Sequence, residues 1–431
     1  MTETIRELFE FINASPTGFH AVENIRVMLE KAGYVQLQEK DSWEILSGRK
    51  YYVIRGGSAI IAFSVPAGKA MSFRIAATHC DSPTFRLKPN AEMEACGAYT
   101  VLNTEPYGGG IFHTWMDRPL SVAGRVITES ENGLKTQLVY IDRDLLVIPS
   151  LAIHMDRDVN KKLELNAQKD ILPLFGEAES KGCLKRMIAE AAGCEEDDIL
   201  GEDLFLYSRV KPSLIGPNEE YICGPRLDDL ECVFGTLKGF LADAGKERSA
   251  YVPLYCVFDS EEIGSSTKQG AASTFLADVL ERICIGLGYG REDYHRMIAD
   301  SFLVSADNAH AVHPAAAEKA DPVNRPVMNR GLVLKYSANQ RYITDGVSAA
   351  FFHALCREAE IPVQDFSNRS DIPGGSTLGK ISVAKVPVSS VDIGLAQLAM
   401  HSVCETAGAR DLDHLVRFAS LYFGNIVSET I

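Results

Sequence analysis

The sequence predicts an α/β protein whose sheet is covered by helices on both faces, with a β-rich domain inserted into it. Three observations predict this. Apolar runs at 254–258, 302–304 and 386–391 have the length and composition of strands buried on both sides. Amphipathic helical stretches alternate with such runs, as in a covered sheet. Between residues 92 and 218 the character changes to short strands, glycines and a charge-rich stretch. At 431 residues the chain exceeds an ordinary domain of about 100 to 200 residues. The expected division is 1–91 and 219–431 for a split α/β domain, and 92–218 for the insertion.

In chain order, Ile5, Leu8, Phe9 and Ile12 form one helical stripe. A break at Ala14-Ser15-Pro16-Thr17-Gly18 precedes a second stripe of Val22, Ile25 and Leu29. Strands are expected at 51–54, 60–65 and 73–77, the last running into the polar sequence T-H-C-D-S-P. In the insertion, A-Y-T-V-L, R-V-I and Q-L-V-Y-I read as strands, with Gly108-Gly109-Gly110 between the first two and a charge-rich stretch near 156–202. Residues 412–427 form an amphipathic terminal helix.

Composition narrows the function. Hydrophobic and charged fractions of 46% and 23% describe an ordinary soluble protein without low-complexity tracts or repeats. A net charge of -15 argues against nucleic acid or an anionic membrane, since both demand local excesses of Lys and Arg. The first residues lack the basic start and apolar run of a signal peptide, and no apolar stretch reaches the ~20 residues that span a bilayer. A cytoplasmic protein is expected. The ten cysteines are dispersed without a C-x-x-C pair, so reduced thiols are the default. Cys80 is expected to be a small buried hydrophobe rather than a nucleophile, because no nearby base or oxyanion motif supports it.

Hydrolysis by two metals needs a bridging acid, further His or carboxylate ligands, and a free carboxylate base. The chain offers His79 and Asp81 in T-H-C-D-S-P, Asp228 and Asp229 in P-R-L-D-D-L, Glu261 and Glu262 in F-D-S-E-E-I-G, Asp307 in S-A-D-N-A-H, and His401 in A-M-H-S. H-x-D alone is a weak signal that a hydrogen-bonded turn also explains. Glu261 and Glu262 are more informative, because they follow a buried strand, where open α/β sheets bind ligands. Acidic helix capping is their competing explanation.

These residues lie within longer motifs, and over nearly its full length the chain resembles the aspartyl aminopeptidase family of metallopeptidases. The matching stretches include A-S-P-T-G-F-H, T-H-C-D-S-P-T-F-R-L-K-P, Y-G-G-G-I-F-H-T-W-M-D-R-P-L-S-V-A-G-R-V, I-P-S-L-A-I-H-M-D-R-D-V-N, G-P-R-L-D-D-L, D-S-E-E-I-G-S, S-A-D-N-A-H-A-V-H-P, R-S-D-I-P-G-G-S-T-L-G and Q-L-A-M-H-S-V-C-E. The chain departs from the family's pattern at Ala315-Ala316-Ala317 and at P-G-G-S, neither of which touches a proposed ligand.

The resemblance implies a zinc-peptidase-like mixed sheet, an inserted dimerisation domain and two Zn²⁺ per subunit, positions that Co²⁺ or Mn²⁺ also suit. It implies that Asp228 bridges the ions, His79 and Asp307 complete one site, Glu262 and His401 complete the other, and Glu261 is the general base. Asp81 then orients the imidazole or the metal site, with a turn-forming Asp as the alternative. His313 resembles an oxyanion-stabilising histidine. His154 resembles one lent to a neighbouring subunit, and a structural histidine remains its alternative. Lys335 matches a position that holds an acidic substrate side chain, although a lysine stem covering apolar surface is also compatible. Asp371 resembles a residue holding the substrate's α-amine. His20, His113, His295, His310, His353 and His414 receive no role.

The expected function is removal of a single N-terminal residue, preferably Asp or Glu, from peptides with a free N-terminus. The expected assembly is a homo-oligomer, in this family commonly twelve subunits built from dimers. A broad neutral specificity at the same site is the enzymatic alternative, and an assembly or cargo protein that keeps the fold without turnover is the other.

Overall fold

The computed structural model describes residues 1–131, 133–243 and 250–424. Its largest sheet has nine strands, in the order Val35–Gln36, Lys50–Arg55, Ala59–Ser64, Tyr251–Phe258, Ser72–His79, Phe302–Ala306, Ser389–Gly394, Leu332–Tyr336 and Val363–Ser367. The four strands from Tyr251–Phe258 to Ser389–Gly394 are mutually parallel, and antiparallel pairs flank them. This is the mixed α/β sheet that the apolar runs predict.

Both faces are covered, and strand alternation decides which residue serves which face. Phe73, Ile75 and Ala77 join Leu254 and Cys256 beneath helices Phe275–Gly286 and Arg291–Ala299. Ala76, Tyr255 and Val257 join the opposite core with helices Glu3–Ala14, Gly18–Lys31, Leu227–Asp243, Gly346–Glu358 and Asp411–Gly424. The last of these packs so closely on Leu227–Asp243 that a Cβ added at Gly239 would lie 2.4 Å from the Ala419 Cβ. Residues 425–427 of the expected terminal helix fall outside the described residues.

Two local expectations shift by a residue or more. The first helix is capped by Thr2, whose Oγ1 accepts from Ile5 N at 3.3 Å. It buries Ile5, Leu8, Phe11 and Ile12, with Phe9 at the edge of the stripe. Phe11, three residues past Leu8, is the better-aligned aromatic. The apolar run at 386–391 enters its strand only at Ser389, because Val388 N turns back to Val386 O, although Val386 and Val388 remain in the core.

A six-stranded antiparallel sheet forms the insertion, ordered Gly133–Tyr140, Leu120–Ser130, Ile199–Ser208, Thr84–Ala95, Tyr99–Tyr107 and Leu174–Glu177. Helix Cys183–Ala192 packs on it through Leu184 and Ile188. The sheet begins at Thr84, so the expected boundary at residue 92 falls inside a strand whose Phe85 and Leu87 already face this second core. After Ser208 the chain enters a third sheet, ordered Ser213–Ile215, Tyr221–Gly224, Glu405–Gly408, Ala396–Leu398 and Ala309–His310. Arg125 fastens the six-stranded sheet to the part of the chain that holds the large sheet: its Nη1 donates to Gly56 O at 2.6 Å and its guanidinium lies 4.2 Å from the Phe19 ring centre. No helix among the described residues is long and apolar enough to cross a membrane.

Candidate metal centre

The parallel strands deliver their polar residues to one edge. His79 ends its strand directly opposite Phe258, and beyond Phe258 the chain turns through Ser260, in the left-handed conformation at φ 64°, into Glu261 and Glu262. Asp307 follows the strand Phe302–Ala306. Asp228 sits in the first turn of helix Leu227–Asp243, and His401 lies in the turn after Ala396–Leu398. Crevices at the carboxyl ends of parallel strands are where open α/β sheets gather ligands.

The groups meet closely. His79 Nε2 lies 3.5 Å from Asp228 Oδ1, while His401 Nε2 lies 3.5 Å from Asp228 Oδ2 and 3.3 Å from Glu262 Oε2. Among the described residues, three sets have ligand atoms within 4.8 Å of one another: His79 with Asp228 and Asp307, His79 with Glu261 and Glu262, and Asp228 with Glu262 and His401. Asp228 thus belongs to two sets that otherwise differ.

Both imidazoles are oriented for ligation. His79 Nδ1 lies 3.1 Å from the Asp81 carbonyl, and His401 Nδ1 lies 3.1 Å from the Gly109 carbonyl. A carbonyl only accepts, so Nδ1 carries a proton in each ring, and Nε2, which faces the carboxylates, is the nitrogen that a cation would take in exchange for a proton. The Asp81 carboxylate supports the turn beyond them: Oδ1 accepts from Glu261 N at 3.1 Å, and Oδ2 accepts from Glu262 N at 3.1 Å and from the Tyr107 hydroxyl at 2.8 Å. Glu405 accepts from Asp228 N at 3.0 Å and from His401 N at 2.8 Å. Asp229 Oδ2 accepts from His79 N at 3.3 Å.

The electrostatics call for cations. Burial, reinforced by neighbouring Asp307, Asp81 and Asp228, pushes Glu261 up to about 7 against the pull of His79. Burial, then Asp228, raises Glu262 far above the usual carboxylate range. Burial alone would depress His79, but Asp228 and Asp81 outweigh it and hold the imidazole well above its ordinary value. Asp228 Oδ1 and Glu262 Oε1 are buried without a hydrogen-bond partner. Buried carboxylates this crowded cannot all ionise unless positive charge is placed among them. A borderline metal that takes nitrogen and oxygen, such as zinc, fits this donor set.

Lys335 is buried beside the cluster. Its Nζ donates to Asn308 O at 2.8 Å and lies 3.7 Å from Asp307 Oδ2. Burial would lower its pKa, but Asp307 outweighs that and keeps it charged. The remaining expected residues stand apart from the three sets. His154 is exposed; His313 is exposed, its Nδ1 accepting from Ala315 N; Asp371 is exposed and pairs with Arg369 at 2.7 Å. Cys80 is buried, as expected of a small hydrophobe. Tyr107 and Glu405 were not singled out by sequence, although both lie in the matching stretches Y-G-G-G and Q-L-A-M-H-S-V-C-E.

A family model described as aminopeptidase I zinc metalloprotease (M18) matches residues 11–423. A probable M18 family aminopeptidase 2 of Clostridium novyi is 48% identical over 413 residues, covering 94% of this chain and 95% of that protein. Its counterpart in Pseudomonas aeruginosa is 40% identical over 426 residues, 97% of each. Among solved structures, the Ape4 and Nbr1 complex contains a chain of TM-score 0.95 and 37% identity, with 98% of this chain and 85% of that one covered. The S. cerevisiae mApe1 dodecamer gives a TM-score of 0.86 at 27% identity, covering 98% and 96%.

Proposed function

The chain belongs to the aminopeptidase I zinc metalloprotease family, M18, which makes it a zinc metallo-aminopeptidase, and on that footing we propose that it removes single N-terminal Asp or Glu residues from peptides. The observation that carries this reading is the pair of ligand sets sharing Asp228 beside a buried Lys335. Two zinc ions fit: His79 and Asp307 would hold one, Glu262 and His401 the other, with Asp228 between them. The chemistry they supply when bound is polarisation of the scissile carbonyl and a lowered pKa for the attacking water.

The protein's own groups do the rest. A Glu261 carboxylate oxygen accepts the proton of the attacking water and returns it to the departing amine. Asp81 holds Glu261 in place through its backbone N–H. Lys335, on the Asp307 side, offers its remaining ammonium donors to an acidic side chain. This local charge is needed because a protein of net charge -15 repels acidic peptides at long range. Exposed His154 suits a role in a neighbouring subunit of a cytoplasmic homo-oligomer, for which the dodecameric relative is the precedent. His313 would stabilise the oxyanion, and Asp371 would hold the substrate's α-amine.

One assay of aspartyl, glutamyl, leucyl and N-acetylated substrates tests the reading. The two acidic substrates should be cleaved fastest and the acetylated one not at all. Equal rates on leucyl and aspartyl substrates would establish the broad neutral specificity instead.

A further inference from the structure

Cys223 and Cys404 hold their sulfur atoms 3.1 Å apart, about 1 Å more than the ~2.05 Å of a disulfide bond. Cys223 lies in the strand Tyr221–Gly224, opposite Thr406, and Cys404 is the residue before the pairing strand Glu405–Gly408. Both are half-buried, whereas Cys80, Cys232, Cys256, Cys284 and Cys356 are buried. The hydrogen bond that the Cys404 thiol donates lowers Cys223 to about 6, with the Arg118 cation acting in the same direction. The pair therefore combines a thiolate with an adjacent thiol, the arrangement that reacts with oxidants.

The position matters as much as the proximity. Cys404 adjoins Glu405, whose carboxylate accepts from both Asp228 N and His401 N. Cys223 is in the strand that leads to Asp228. We propose that Cys223 and Cys404 are an oxidation site, which a hydroperoxide closes into a disulfide tying the turn that carries His401 to the strand leading to Asp228.

The step balances without another reactant. The Cys223 thiolate attacks one peroxide oxygen, the O–O bond breaks, and an alcohol or water leaves with a proton as the sulfur becomes a sulfenic acid. Cys404 then attacks that sulfur, the S–O bond breaks, and water leaves as the S–S bond forms. Two electrons pass from the sulfurs to the peroxide.

The test treats the zinc-loaded protein with one equivalent of hydrogen peroxide. Thiols are then counted in denaturant, unreduced peptides are mapped by mass spectrometry, and zinc release to a chelator is timed. The expected result is loss of two of the ten thiols, a linked peptide joining Cys223 to Cys404 that dithiothreitol separates, and several-fold slower zinc release. In Cys404→Ala, dimedone should label Cys223 and no linked peptide should form. Preferential oxidation of exposed Cys96, or ten thiols remaining, would overturn the site. A linked peptide with unchanged zinc release would overturn the tie. The release readout rests on His401 and Asp228 as ligands, whereas the linked peptide does not, so the two failures are distinguishable.

Discussion

Replacing Tyr107 by Phe deletes one oxygen and the 2.8 Å hydrogen bond it donates to Asp81 Oδ2. That oxygen would keep one partner, Glu262 N at 3.1 Å, while Oδ1 keeps Glu261 N. Asp81 is 6% exposed, so the carboxylate has little solvent to replace the phenol. Removing a hydrogen bond to a charged, buried group costs about 1.5–3 kcal/mol. Tyr107 and Asp81 also line a cavity of about 240 Å³ between the two domains, large enough to admit a water to the vacated place. The lower end of that range therefore applies, roughly 2 kcal/mol, or about a 30-fold effect if it is expressed in the transition state. Asp81 holds the base rather than the substrate, so the loss should appear in kcat, with KM within twofold of wild type. Steady-state kinetics on an aspartyl substrate, with zinc content measured in parallel, checks this. Activity within twofold of wild type, or a loss confined to KM, would refute the argument that Tyr107 positions Glu261 through Asp81.

Glu261→Gln should retain zinc and lose roughly 10²–10⁴-fold in kcat, as for removal of a general base, and metal analysis beside a rate assay decides it. Retention of a tenth of the activity would exclude Glu261 from that role. Lys335→Met should lower kcat/KM for aspartyl substrates by roughly 10- to 100-fold while changing leucyl substrates only a few-fold, since one charge-assisted contact is lost. Parallel losses on both would make Lys335 structural. Burial, then Arg226, pushes buried His20 down to about 4 from 6.5, against Glu23. Between those values the unfolded chain binds more protons, so stability falls as pH drops from 6.5 to 4, by about 3 kcal/mol in all. Urea titrations across that window should give a shallower pH dependence for His20→Leu, and identical slopes would rule out His20 as the cause.

The metal-site candidates were legible because each follows or starts an element that sequence can identify. His79, Glu261, Glu262 and Asp307 come just at or after apolar strands, and parallel pairing brings those strand ends together. The supporting hydrogen bonds were not legible. Tyr107 meets Asp81 from another domain, and Glu405 joins Asp228 across 177 positions of sequence. Such contacts leave no periodicity for a local pattern to reveal. The start of the second sheet at Thr84 was not legible for a related reason: R-L-K-P is polar, yet Leu87 within it faces the second core. The roles suggested for His154, His313 and Asp371 come from resemblance alone, and within one chain all three are exposed side chains.

The third sheet joins Tyr221–Gly224 to Glu405–Gly408, so the turn holding His401 is anchored by one of the last strands of the chain. During synthesis the strands of the insertion, complete by Ser208, are made before Asp228, Glu261, Glu262, Asp307 and His401, and Val403 joins their core only later. The candidate donor set is thereby complete only once residue 401 has been made. A product terminated before residue 401 would carry the strands of the insertion with an incomplete set of these candidate donors.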